Sequence, residues 1–484
     1  MYKQCLYYVF VILSFFYTKV VFSQSNAYYF SALSSDVFTG QITAYKQRQI
    51  PIVYTDKKKQ KIYSEIFKER NEDLVLEFES NELLYDTMLL NRCNTILKRL
   101  KNSNPTYKFD SINLFINRSC IGNACCYGEG TIFVNLGLFL WMDNEDELAL
   151  VVGHEIAHQL LSHSEKKIIQ NIDLYSSDEF KAEIKSIKKS TESKYKRLKG
   201  LLKDMTVKTN THSRYKENEA DSLGAVLIKN AGYNISKAAP SLLKLDSINN
   251  LYTENNIYTI KNIFEKSVVS DFAFEQKKKY NGLSNEVVNM NTEEDIDTLT
   301  THPDCRVRFN AIAKGLNISK NVNCCSVIDN SFSAIKERAL VEIIRHEYER
   351  GNLTRAIHQC LFATKNGFTN PYFTYMISMS FSKIYEADLV LEKFSITNAN
   401  AKTGSTLKAL QDFIFNSSRE NLLSIAAYFL NTPTDRKTEE YFFASMMYKK
   451  AAKTADVNSA ENTFKKMFPK SKYNYILTQK LKTK

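Results

Sequence analysis

The segment His154-Glu155-Ile156-Ala157-His158 constrains this chain more than any other. Two histidines four residues apart lie one above the other on an α-helix, where both imidazoles can reach a single point. A strand would not stack them in this way. The segment is therefore expected inside a helix running from Leu148 to about His163, with Asn144-Glu145-Asp146-Glu147 as its capped, acidic start. Glu155 is badly angled to join the two rings as a ligand, but it can reach a water held beside them.

Length and composition bound the rest. A chain of 484 residues has room for two or three domains and a sizeable core. Hydrophobic content of 44% and charged content of 24% are those of a globular protein. Only 14 glycines and 7 prolines argue against long disordered linkers and for a helix-rich chain. The net charge of +12 accumulates between Lys166 and Lys208, a pattern of solvated helical faces. No nucleic-acid motif accompanies it, so no nucleic-acid partner is expected; peripheral attraction to an anionic membrane surface is the better use.

The N-terminus reads as an export signal over residues 1–23. Lys3 supplies the positive start, Cys5 to Tyr17 the apolar region, and Val21-Phe22-Ser23 the cleavage site. The apolar run is short for a membrane span and Lys19 interrupts it. The mature chain is expected to be secreted or periplasmic. Eight cysteines remain beyond Cys5, an even number that suggests disulfides in an oxidising compartment, with the vicinal pairs Cys125-Cys126 and Cys324-Cys325 bonding outward.

Periodicity then suggests an order of elements. Residues 24–60 read as an extended or irregular lead-in, and 61–101 as helical. Ile112-Asn113-Leu114-Phe115-Ile116 and Thr131-Ile132-Phe133-Val134-Asn135 alternate like strands on either side of a glycine-bearing turn. After the histidine helix, a polar helical stretch leads to Ser213-Arg214-Tyr215-Lys216-Glu217-Asn218-Glu219-Ala220-Asp221 and on to Gly232. Thr301-His302-Pro303 opens a loop before Arg308. From 333 to 484 the pattern is helical. The spacing of Gly351, Ala356, Ala363 and Pro371 there is similar to tetratricopeptide (TPR) repeats. The fold class expected is α+β, mostly α: a domain with a small sheet over 61–325, then an all-α helical-repeat domain over 333–484.

The chemistry follows from the side chains. A catalytic zinc takes three protein ligands and leaves one position open. His154 and His158 supply two. Glu217 is the candidate third, because Asp221 follows four residues later on the same helix and can accept a hydrogen bond from a ligand imidazole. Glu219 competes but points away if Glu217 and Asp221 share the metal-facing side. Glu155 is the candidate general base, and His302 and Arg308 are candidates for stabilising developing negative charge. Thr131, Ile132, Phe133 and Val134 are expected to offer an exposed edge to an extended peptide. His163 reads as a helix-end or packing residue, and His212, His346 and His358 as having no role in the site.

These residues together resemble the gluzincin metalloendopeptidases of peptidase family M48. The order of Asn123-Ala124, Gly130-Thr131-Ile132-Phe133-Val134, Asn144 to Ala149, and His154 to His158 with His163 is similar to the family's first motif region. Ser213-Arg214 with Glu217, Glu219, Ala220 and Asp221 resembles its second motif, and Thr301-His302-Pro303 with Arg308 its third. The resemblance covers roughly residues 60–320. It implies a zincin-like domain, one Zn2+ per chain, Glu217 as the third ligand, His302 as an active-site histidine, and protein or peptide substrates. Two departures matter: Cys125-Cys126-Tyr127 stands where the family has an apolar, Pro/Gly-containing segment, and the chain lacks the membrane spans of several members. A signal followed by a helical tail is most like the periplasmic BepA/LoiP-type branch. That implies a zinc endopeptidase in envelope protein quality control, its tail recruiting envelope partners. The alternative is a chaperone-like binding module whose metal centre is capped by His302.

Overall fold

The computed structural model describes residues 32–33, 37–190, 194–247, 259–269, 305–315, 329–397, 405–471 and 473–474. The signal segment, His302 with Thr301 and Pro303, and Cys324-Cys325 lie outside the described residues. The chain is α+β and mostly α, as the periodicity implied. It divides into two compact units, one within 31–255 and 276–346 and the other within 256–275 and 347–484.

The first unit is built on a five-stranded mixed sheet of order β1-β2-β3-β5-β4: β1 (Ala32–Leu33), β2 (Leu83–Tyr85), β3 (Asn113–Asn117), β4 (Ala124–Gly128) and β5 (Thr131–Asn135). β3 and β5 run parallel, in register from Asn113 opposite Thr131 to Asn117 opposite Asn135. β4 returns antiparallel to β5 through the Gly128-Glu129-Gly130 turn. Helices cover both faces. On one, Leu114, Ile116, Ile132 and Val134 join the main core with α3 (Thr87–Ser103) and the histidine helix. On the other, Phe115 and Phe133 join Phe38, Tyr45 and Phe78, carried by α1 (Thr39–Lys46), the residue before it, and α2 (Lys57–Glu79). The Phe78 and Phe115 rings meet edge to face at 4.9 Å.

Three local expectations change here. α1 lies within the lead-in read as irregular, and β2 interrupts the stretch read as helical. The expected peptide-binding edge Thr131, Ile132, Phe133 and Val134 is instead the interior strand β5, paired on both sides and buried throughout. Its apolar run has no free backbone edge to offer. The sheet ends in β4.

After β5 come α4 (Leu136–Trp141), α5 (Glu145–Leu160), α6 (His163–Ser176), α7 (Asp178–Lys189), α8 (Lys194–Asn230), α9 (Ile235–Ala238) and α10 (Pro240–Ser247). α5 is the histidine helix. Asn144 caps it by accepting the Glu147 N–H at 3.0 Å, and Glu147 accepts the Asp143 N–H at 2.9 Å. Every residue from Glu147 to Ala157 is buried, so α5 forms the centre of the unit rather than an amphipathic surface helix. It crosses α8 at a pair of glycines. A Cβ on Gly224 would stand 3.0 Å from His154 Cα and N, and one on Gly153 would stand 2.8 Å from Ile228 Cγ2. The backbones approach this closely only because neither position carries a side chain.

α11 (Ile260–Phe264) belongs to the second unit, and α12 (Cys305–Gly315) to the first. α13 (Asn330–Glu349) gives Phe332, Ile335, Ala339 and Ile343 to the first unit's core. The second unit continues as α14 (Leu353–Lys365), α15 (Pro371–Leu389), α16 (Lys393–Thr397), α17 (Thr406–Asn416), α18 (Arg419–Asn431), α19 (Glu439–Ala451) and α20 (Val457–Met467). Asn370 caps α15, with Pro371 in its first turn. Small side chains on α15 lie against α18, where the Ser378 hydroxyl donates to the Ala426 carbonyl at 2.7 Å. No helix among the described residues is long and apolar enough to cross a membrane.

Candidate metal centre

The α5–α8 crossing decides what meets at the site. The helical repeat stacks His154 over His158 on α5, and puts Glu217 and Asp221 on the facing side of α8. The two Nε2 atoms are 3.0 Å apart. Glu217 Oε2 lies 3.4 Å from His154 Nε2, and its Oε1 lies 3.4 Å from His158 Nε2. One donor atom from each of these three residues falls within 4.8 Å of the others, the one such group among the described residues. Two imidazole nitrogens and a carboxylate oxygen form a donor set that suits a divalent cation such as zinc.

The local field agrees. Burial lowers the affinity of His154 for a proton, but its hydrogen bonds to the Asp221 and Glu217 carboxylates outweigh it and push its pKa up to about 9. Positive charge is favoured where the donor atoms converge, which is the condition a cation needs. Asp221 Oδ1 lies 2.9 Å from His154 Nδ1. Arg308, from α12, grips the same carboxylate with both arms of its guanidinium, at 2.8 and 2.7 Å. Burial raises the Asp221 pKa, but Arg308 and His154 more than offset that and bring it down to about 2. Arg308 is itself buried and stands behind the imidazole. Its guanidinium anchors Asp221.

Glu155 is buried between α5 and the sheet. Its Oε2 accepts the backbone N–H of Cys126, in β4, at 2.7 Å. The Cys126 carbonyl in turn accepts from the Ser164 hydroxyl at 3.2 Å. The edge strand therefore runs beside the candidate general base. Cys93, Cys125, Cys126 and Cys360 are free thiols, so the outward disulfide expected at Cys125-Cys126 is not formed. Burial and the nearby Glu155 carboxylate push the Cys126 thiol up to about 12.

Sequence reasoning passed over one neighbour of the site. His163 Nδ1 lies 2.9 Å from His158 Nδ1, and His163 Nε2 lies 3.3 Å from Glu219 Oε2. α5 ends at Leu160, short of the expected His163. Ser162 then adopts a left-handed conformation, φ +55°, and returns the chain so that His163 opens α6 against His158. The available signal was a third histidine within five residues of the pair, but straight helical spacing does not bring it back. Burial and the neighbouring His158 hold the His163 pKa down at about 4.

Residues 92–315 match the family model described as peptidase family M48. Among curated proteins, the beta-barrel assembly-enhancing protease of Yersinia pestis is 33% identical over 84 residues, which are 17% of this chain and 17% of that protein. The chain thus matches less than a fifth of that relative's length.

Proposed function

We propose that this chain, whose residues 92–315 match the family model described as peptidase family M48, is a zinc-dependent endopeptidase acting on peptide bonds of protein substrates. His154, His158 and Glu217 hold the metal. Bound zinc supplies Lewis acidity, lowering the pKa of water toward neutrality and polarising the scissile carbonyl. Asp221, fixed by Arg308, keeps the His154 ring oriented. Glu155 accepts the proton released by the attacking water and returns it to the leaving amine. His302 remains the candidate for a further active-site histidine.

The finer reading rests on the name of the relative and on the sequence. A signal over residues 1–23 and a peptidase domain over 61–325 followed by a TPR-like domain over 333–484 suit an exported protease of envelope protein quality control. The tail would recruit envelope partners, and the basic helices would give peripheral attachment to the membrane.

The convergence of two imidazoles and Glu217 within 4.8 Å, with Glu155 buried beside them, carries this proposal. The test is casein digestion by purified full-length protein, with and without a chelator, beside Glu155→Gln. Cleavage that the chelator and the substitution both abolish supports it. Tight binding of unfolded casein without any cleavage by the wild-type protein would move the assignment to the chaperone-like alternative.

A further inference from the structure

The two imidazoles facing the metal position are anchored by different means. His154 turns Nδ1 directly to a carboxylate, Asp221. His158 turns Nδ1 away from the site to a second imidazole, His163. That ring is buried, and its far nitrogen faces Glu219. The rings of His158 and His163 lie edge to face, with centroids 4.9 Å apart.

The tautomers follow from position. His158 Nε2 points to His154 Nε2 and Glu217, so its lone pair is the one turned to the metal. The ring proton of His158 then sits on Nδ1. The atom facing that proton is His163 Nδ1, which must act as acceptor and therefore carries its own proton on Nε2, toward Glu219. That arrangement satisfies the His158–His163 contact and turns the His163 Nε2–H toward the Glu219 carboxylate, 3.3 Å away but not aligned as a hydrogen bond. The left-handed Ser162 imposes a backbone cost to keep His163 in this place.

We propose that His163, backed by Glu219, is a positioning residue for the metal: it holds His158 in the Nδ1-protonated tautomer and fixes the direction of its Nε2. The proposal rests on the reading of His154, His158 and Glu217 as metal ligands.

The experiment measures zinc affinity of the full-length protein by competition with a chromogenic chelator, and records the visible spectrum of the cobalt-loaded form. His163→Phe keeps the ring volume and removes the acceptor; His163→Asn loses volume but keeps an acceptor near the position of Nδ1. A positioning role predicts zinc binding weakened roughly 10–100-fold and a changed cobalt spectrum for the Phe variant, with the Asn variant closer to wild type and Glu219→Gln in between. A packing role predicts the reverse order, with Phe harmless and Asn damaging, and would overturn the proposal. Glu219 is partly exposed, so Glu219→Gln puts folding least at risk. Wild-type affinity and spectrum in that variant overturn the relay even if His163→Phe fails to fold. A wild-type chain that binds no zinc at all would instead overturn the ligand assignment, and this proposal with it.

Discussion

Glu155 and Glu217 are both buried carboxylates within one site, yet they are expected to fail differently when changed. Glu155→Gln preserves the shape and an acceptor for the Cys126 N–H while removing the basic oxygen. Its kcat/KM should fall roughly 10²–10⁴-fold, with zinc content unchanged by metal analysis. Glu217→Ala should lose the metal itself; wild-type zinc content and turnover in that variant would remove it from the ligand set. Arg308→Ala tests the support. It leaves the Asp221 carboxylate buried without the guanidinium that grips it, an arrangement that costs about 3–5 kcal/mol. A thermal melt of the metal-free protein should register the loss, and Arg308→Lys should recover only part of it, since a single ammonium cannot bond both carboxylate oxygens in the same way.

Among the elements, the α5–α8 crossing and the strand order matter most to the site. Gly224→Ala puts a methyl 3.0 Å from the His154 backbone. The obstruction is backbone, which cannot swing aside, so the helices must separate and carry Glu217 away from the imidazoles. A cost of about 1–3 kcal/mol is expected, together with weaker zinc binding in chelator competition. Gly40→Ala is the control, because a Cβ there meets nothing within 4 Å. If Gly224→Ala matched the control in both stability and affinity, the close crossing would not be what sets the ligand geometry. The sheet teaches a different lesson. β5 reads as a strand from alternation, which implies one open face, but Thr131 to Val134 are all buried and the strand lies in the interior. The edge fell to β4, whose Cys-Cys-Tyr sequence carries no strand pattern and is held by β5 on one side and by Glu155 and Ser164 on the other.

Acid–base behaviour links these details to stability, and two buried carboxylates, one in each unit, respond to pH with opposite sign. In the first, the Asp221 pKa drops from 3.8 to about 2 on folding, so its contribution is present above 3.8 and is lost as pH falls through about 2. In the second, burial of Glu440 outweighs its hydrogen bonds and raises its pKa from 4.5 to about 7. Its contribution is complete below 4.5 and lost as pH rises through about 7. Glu440→Gln should therefore match wild type in denaturant melts near pH 4 and exceed it near pH 8, by up to about 3 kcal/mol; equal stability at pH 8 would refute the burial argument. By itself the sequence determined that His154, Glu155 and His158 share one helix, that Glu217 and Asp221 share another, and the mostly helical class, because these follow from spacing along a regular helix. Only the tertiary structure decided that β4 and not β5 forms the edge, that Cys125 and Cys126 stay thiols, that Arg308 holds Asp221, and that His163 and Glu219 stand behind His158. Each of these depends on which surfaces meet across a crossing or a turn, and a one-dimensional pattern of residue types does not encode those distances.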